Sequence, residues 1–179
     1  MAKIELNKKL VEAHFDIKLQ NDIEVLGLDT ATTTGYCIAR TTKTKVFIDV
    51  GYFKVDTSNV KQKTLKRRLI VEKVYENLHR IINAPDVVVI EDVYHALNAH
   101  TTILLARIGG IAYAVAKRKN IPYIMWRTAS EARKALGLKG NAKKQDILDT
   151  VNFKLSTNIK NDNEADAMIL ALNGLKRRK

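Results

Sequence analysis

The chain predicts a three-layer α/β domain, and three observations carry that expectation. Short apolar runs open the sequence at residues 24–29, 35–40, 45–49 and 51–55. Helical periodicity then alternates with short apolar runs to the C-terminus. One of those later runs, Val87-Val88-Val89-Ile90, is apolar at every position, the habit of a strand buried on both faces of a sheet. Strands first, then helix and strand in alternation, stack as a sheet covered by helices.

Residues 1–22 are polar and weakly patterned, and read as a short helix or an arm ahead of the first strand. The four early runs form an antiparallel three-stranded meander, with Asp49, Gly51 and the Thr-Lys alternation at 41–45 supplying turn chemistry. A helix over about 60–83 follows from Leu65, Leu69, Val74, Leu78 and Ile81 at helical spacing, and Pro85 closes it. Its solvent face carries Lys61, Lys63, Lys66, Arg67 and Arg68. The Val-rich strand runs into Glu91. A second helix, about 98–118, buries Leu104, Ile108, Ile111 and Val115. Its Gly109-Gly110 pair costs helix stability and suggests close packing against a neighbour. Pro122–Trp126 is a short strand, 127–140 mixes basic and small residues, and helices at about 142–153 and 163–175 end the fold. The tail 176–179 is basic throughout and reads as loose. No repeat or linker interrupts the pattern, so 1–179 reads as one domain with 1–22 as an extension.

The composition narrows the function. A net charge of +12 and a pI near 9.8 point to a polyanionic partner, nucleic acid before membrane. The apolar share of 46% is ordinary for a globular protein. No unbroken apolar run approaches the roughly 20 residues of a membrane span, and Met1–Lys9 lacks a signal-like core. A single cysteine, Cys37, excludes an internal disulfide and a thiolate metal site. A cytoplasmic protein without membrane partners is the expectation.

Three acidic residues occupy similar places. Asp29 ends the first strand, Glu91 ends the Val-rich strand, and Asp166 stands at the start of the last helix. A carboxylate at the end of a buried strand is costly unless a cation compensates its desolvation, although Asp29 before Thr30–Thr34 could also cap a turn. Ligands gather at strand ends in α/β sheets. Clustered carboxylates suit Mg²⁺ or Mn²⁺ rather than zinc. Two such ions about 3.5–4 Å apart are a general device for hydrolysing phosphodiesters. Asp162, four residues before Asp166, would share its helix face, or would simply cap that helix. Glu164 would face nearly opposite.

With these acids in place, Gly27-Leu28-Asp29 through Thr34-Gly35-Tyr36, Val89-Ile90-Glu91-Asp92-Val93-Tyr94 and Glu164-Ala165-Asp166-Ala167 resemble the RuvC family of Holliday junction resolvases over roughly 24–175. The resemblance implies a ribonuclease H-like fold with a mixed five-stranded sheet flanked by helices. It implies a homodimer that binds branched DNA, cuts two strands of a four-way junction, uses two Mg²⁺ ions per site and needs no nucleotide cofactor. Its metal ligands would be Asp29, Glu91, Asp166 and a fourth group. The family places that fourth acid or histidine three residues before the last Asp, where this chain has Asn163, so Asp162 is the substitute. Tyr94 matches an aromatic wedge, able to stack on an unpaired base for about 1–3 kcal/mol. Arg133 and Lys144 match basic residues that would meet phosphates, with Lys144 also acting at the reacting group. Lys139, Lys143, Arg67 and Arg68 extend that basic surface. The first 22 residues depart from the bacterial pattern and suggest a divergent, viral-type member.

Two other classes compete. The Gly27–Gly35 stretch also resembles the first phosphate loop of the sugar-kinase and actin ATPases, but a second lobe and a second Gly-rich loop are lacking. A non-catalytic junction-binding module would explain the charge but not three carboxylates at element ends.

Overall fold

The computed structural model describes residues 2–93 and 99–177. In chain order the elements are β1 (Ala2–Asn7), α1 (Lys8–Phe15), β2 (Glu24–Asp29), β3 (Thr33–Thr41), β4 (Lys45–Lys54), α2 (Lys63–Ile81), β5 (Val87–Glu91), α3 (Ala99–Arg118), β6 (Tyr123–Arg127), α4 (Ala129–Ala135), α5 (Lys144–Leu155) and α6 (Asp162–Leu175). The strands form one mixed sheet in the order β1-β4-β3-β2-β5-β6. β1 to β4 and β2 to β3 pair antiparallel, while β2, β5 and β6 run parallel.

The sheet therefore has six strands rather than the five expected. The additional strand is β1, whose Lys3-Ile4-Glu5-Leu6-Asn7 alternates polar and half-buried apolar positions, as an edge strand does. It lines up Ile4 with Ile48 of β4, and Lys45 pairs with Glu5 across the two strands. The two runs expected at 45–49 and 51–55 are a single strand, β4. Gly51 is no turn: it lies beneath the Tyr36 ring of β3, where a Cβ would approach the ring closer than 3.0 Å. A short helix, α4, also emerges from the mixed stretch 127–140. Thr128 and Glu131 close a capping box at its start, with Thr128 Oγ1 accepting from the Glu131 amide at 3.2 Å and Glu131 Oε2 accepting from the Thr128 amide at 2.9 Å.

Each sheet face has its own core. One face packs α1, α4, α5 and α6 through Phe15, Ile48, Leu136, Ile147, Met168 and Ile169. The other packs α2 and α3 through Leu26, Leu28, Val74, Leu78, Ile90 and Ile108. Each such side chain contributes about 1.5–3 kcal/mol when fully buried. α6 is buried at every residue from Ala165 to Leu175, lying between the sheet and the outer helices. Its backbone rests directly on β2 and β3. A Cβ at Gly27 would meet the backbone of Ala167 and Ala171, and one at Gly35 the backbone of Asn163, at separations no real Cβ shows.

Three further expectations change. The buried stripe of α2 runs through Ile70, Val74 and Leu78, leaving Leu65 exposed. The tail is held at its start: the Arg177 amide donates to Lys18 O at 2.7 Å and Lys176 Nζ to Ala135 O at 2.9 Å. α3 is long and apolar enough to cross a membrane by length and composition, although it carries Arg107 midway and Lys117 and Arg118 in its last turn. It packs on α2 and β5 and buries Ile108, Gly109, Ala112, Val115 and Ala116.

Candidate active site

Strand parity decides which acids meet. Along β2, Val25 enters the α6 core and Leu26 and Leu28 the α2–α3 core, so Asp29 points to the α6 face. Along β5, Val87 and Val89 enter the α6 core and Val88 and Ile90 the opposite one, so Glu91 also points to the α6 face. The parallel register sets Leu28 beside Ile90, which brings the next residues, Asp29 and Glu91, together at the strand ends. α6 begins over the same corner, held there by Gly27 and Gly35, and adds Asp162, Asn163 and Asp166.

Asp29 is buried, and its Oδ2 has no hydrogen-bond partner among the described residues. Burial, then a hydrogen bond and like-charge repulsion from Glu91, push its carboxyl well above the ordinary Asp range, against the opposing pull of Lys144. A buried carboxylate oxygen left without a donor is what an absent cation would explain. The surrounding donors are all oxygens, which suits a hard divalent ion. Among the described residues no three acidic or histidine side chains close around one point as a ready-made cage. Asp29 and Glu91 form one half of the site, and α6 supplies the other half with its charge already countered.

That counter-charge has two sources. Arg133, expected on the DNA surface, is instead buried. Its Nη2 donates to Asp166 Oδ1 at 2.8 Å and its Nη1 to Ala142 O at 3.0 Å. Both side chains of this pair are only 9% exposed. The capped helix α4 turns Arg133 inward, so this residue cannot meet a phosphate in this arrangement. Lys144, the first residue of α5, lies 3.4 Å from Asp162 Oδ2, 3.7 Å from Asp166 Oδ2 and 3.4 Å from Asn163 Oδ1. Partial burial works against its charge, but Asp29, Asp166 and Asp162 outweigh that and raise its pKa. Asp162 does not cap α6; Asn161 does, accepting from the Asn163 amide at 2.9 Å.

The site opens into a cleft of about 740 Å³ lined by Asp29, Glu91, Ser130, Gly140, Lys144 and Asn163, among others. Lys139 and Lys143 are exposed in the loop leading to Lys144. Arg67 and Arg68 are exposed on the first turns of α2, which starts after β4 ends at the same sheet end as Asp29. Arg68 is partly committed to Glu72, at 2.7 Å. Glu164 does not join Lys144. Tyr94 lies outside the described residues. Sequence reasoning missed the cleft wall formed by Thr128, Ser130 and Glu131. The Thr-x-x-Glu spacing at 128–131 was the available signal.

A mixed sheet with acids at two neighbouring strand ends and a third on the helix crossing them defines a ribonuclease H-like nuclease class. The family described as crossover junction endodeoxyribonuclease RuvC matches residues 25–173. A crossover junction endodeoxyribonuclease RuvC of Paenarthrobacter aurescens is 32% identical over 155 residues, covering 84% of this chain and 79% of that protein. Among solved structures, Thermus thermophilus RuvC in complex with Holliday junction substrate matches with a TM-score of 0.63 at 13% identity, over 84% of this chain and 92% of that one. The yeast mitochondrial Holliday junction resolvase Ydc2 matches with a TM-score of 0.59 at 17% identity, over 93% of this chain and 83% of that one. The chain belongs to the RuvC family, and is a divalent-metal-dependent endodeoxyribonuclease by that membership.

Proposed function

We propose that this protein resolves four-way DNA junctions by metal-dependent hydrolysis of phosphodiesters, acting as a homodimer at the sites named above. The observation that carries the assignment is the buried, unpartnered Oδ2 of Asp29 beside Glu91, in a RuvC-family chain. Mg²⁺, with Mn²⁺ as substitute and two ions in the working complex, supplies Lewis-acid activation of water and of the leaving oxygen. Asp29 and Glu91 hold one side of that charge, and Asp166 with Asp162 or Asn163 the other. Arg133 fixes the orientation of Asp166. Lys144 offers its ammonium to the phosphate at the cleft. Lys139, Lys143, Arg67 and Arg68 extend the basic track along the DNA backbone, and Tyr94 is suited to stack on a base at the crossover. Residues 1–179 act as one nuclease domain, with the N-terminal extension completing its sheet. Its setting is the cytoplasm of a bacterium or an infected cell, where branched DNA occurs.

Two coordinated cuts need two sites, and the described residues of one chain offer one. The stripe of α3 through Leu104 and Ile108 faces the core, as its spacing predicts, and leaves another face of the helix for a second copy. Ile103, Ala106, Gly110 and Tyr113 form an exposed stripe at helical spacing along α3. A Cβ at Gly110 would meet nothing within 4 Å, leaving room for another backbone. Tyr113 stacks on half-exposed Trp126 at 6.1 Å and extends the patch onto β6.

The deciding experiment compares Asp29→Asn and Glu91→Gln with wild type on a synthetic four-way junction. Cleavage in Mg²⁺ should fall by about 10³-fold or more, since the lost metal contacts are worth several kcal/mol. Junction binding in EDTA should persist, because basic residues hold the DNA. Full cleavage by either variant would remove these acids from the site.

A further inference from the structure

The α6 half of the site already contains two positive charges, and they are held very differently. Arg133 is buried, makes a 2.8 Å bond to Asp166 and has a second hydrogen bond to Ala142 O. Lys144 is 53% exposed in its side chain and makes only long contacts, 3.4–3.7 Å, to Asp162, Asn163 and Asp166. Charge-assisted bonds of this kind ordinarily close to about 2.7–2.9 Å. An ammonium shared loosely among three oxygen-bearing side chains occupies the place of a cation rather than of a structural ion pair. It also ends a flexible four-carbon stem, at the first turn of α5 on the cleft wall. With Arg133 and Lys144 present, the charges of Asp162 and Asp166 are balanced one for one. Asp29 feels the Lys144 charge at longer range, but among the described residues neither Asp29 nor Glu91 makes an ion pair within 4 Å, and Asp29 Oδ2 lacks any hydrogen-bond partner.

We propose that Lys144 is a tethered occupant of the second-cation position. Its ammonium keeps a second divalent ion away from Asp162, Asn163 and Asp166 in the DNA-free protein, and moves to the phosphate when a junction binds. This rests on the nuclease assignment above. The DNA-free protein then takes one divalent ion, at Asp29 and Glu91, and the site fills only on its substrate. A nuclease built this way stays under-loaded away from DNA. Asn163 fits the scheme: an acid there would add a negative charge that the single Lys144 could not balance, and would draw in a second ion regardless.

Mn²⁺ binding tests this without relying on cleavage. Free Mn²⁺ is counted by electron paramagnetic resonance during titration of wild type, Lys144→Met and Lys144→Gln. Each is titrated with and without a four-way junction carrying phosphorothioate linkages around the crossover. Melting curves check that each variant is folded, and the exposure of Lys144 makes that the expected result. Wild type should bind one Mn²⁺ tightly and a second about tenfold or more weaker, within the usual range for coupled sites. Both variants should bind two comparably without DNA. The junction should raise the second affinity of wild type but not of the variants. By reciprocity Mn²⁺ should tighten junction binding by the same factor in wild type alone. Two equal sites in DNA-free wild type, or one site in all three proteins, would overturn the proposal while leaving the metal site intact. No Mn²⁺ binding by any of them would overturn the metal site as well.

Discussion

Arg133 shows how much one inward turn changes a residue's meaning. A basic residue beside an acidic site suggests phosphate contact, yet here its guanidinium is buried against Asp166. Buried pairs of this kind are dangerous to halve: removing one partner leaves the other charged and desolvated, at about 3–5 kcal/mol. Arg133→Met should therefore lower stability by about that amount and weaken cleavage, because Asp166 loses its anchor. Its junction affinity should keep the wild-type salt dependence. Lys144→Ala, by contrast, should flatten the plot of log affinity against log salt by about 0.9, the contribution of one phosphate contact. Equilibrium denaturation and gel shifts at several salt concentrations measure both. A flattened slope in Arg133→Met would return that residue to the DNA surface.

At the scale of elements, the site depends on how closely α6 can lie on the sheet. Gly27 on β2 and Gly35 on β3 are the two places where strand and helix backbones nearly touch. A methyl group at either would force α6 outward and carry Asp162, Asn163 and Asp166 away from Asp29 and Glu91. Overpacking of this sort costs about 1–3 kcal/mol. Gly27→Ala and Gly35→Ala should thus remain folded with a lowered melting temperature, bind junctions, keep the Mn²⁺ held at Asp29 and Glu91, and lose most cleavage together with the second Mn²⁺ taken up with a junction. Wild-type uptake of the second Mn²⁺ on a junction by both variants would show that the helix position does not set that half of the metal site. The same close approach explains why α6 carries Ala165, Ala167 and Ala171 among its larger residues.

Across the whole molecule, a single acidic cluster must act twice on a nearly two-fold junction. The exposed stripe of Ile103, Ala106, Gly110 and Tyr113 gives the dimer a surface that folding of one chain leaves uncovered. Tyr113→Asp or Ile103→Asp should yield monomers in sedimentation at micromolar concentration. These monomers should still nick, since neither residue lines the cleft, but should not complete paired cuts. Wild-type behaviour from both variants would put the interface on another face. The excess of positive charge, +12, then serves the whole dimer, drawing DNA over both sites.

Much of this was written in the chain itself. Asp29 and Glu91 were legible because each ends a run of buried residues, and a carboxylate in that place needs a reason. The three-layer class followed from the order of patterns, and the family from three short motifs in sequence. β1 and α4 were also written there, in the alternation Lys3–Asn7 and the spacing Thr128–Glu131, but short signals of this kind carry little weight beside longer apolar runs. What only the tertiary structure decided were the matters of direction. Periodicity places a residue on a helix face, but whether that face meets a core, a partner or a carboxylate depends on elements distant in the chain. Leu65, Arg133 and the stripes of α3 were all settled by what packs against them. Arg133 lies 33 positions from Asp166, and no local rule connects them. Their pairing exists because α4 and α6 pack on the same face of one sheet.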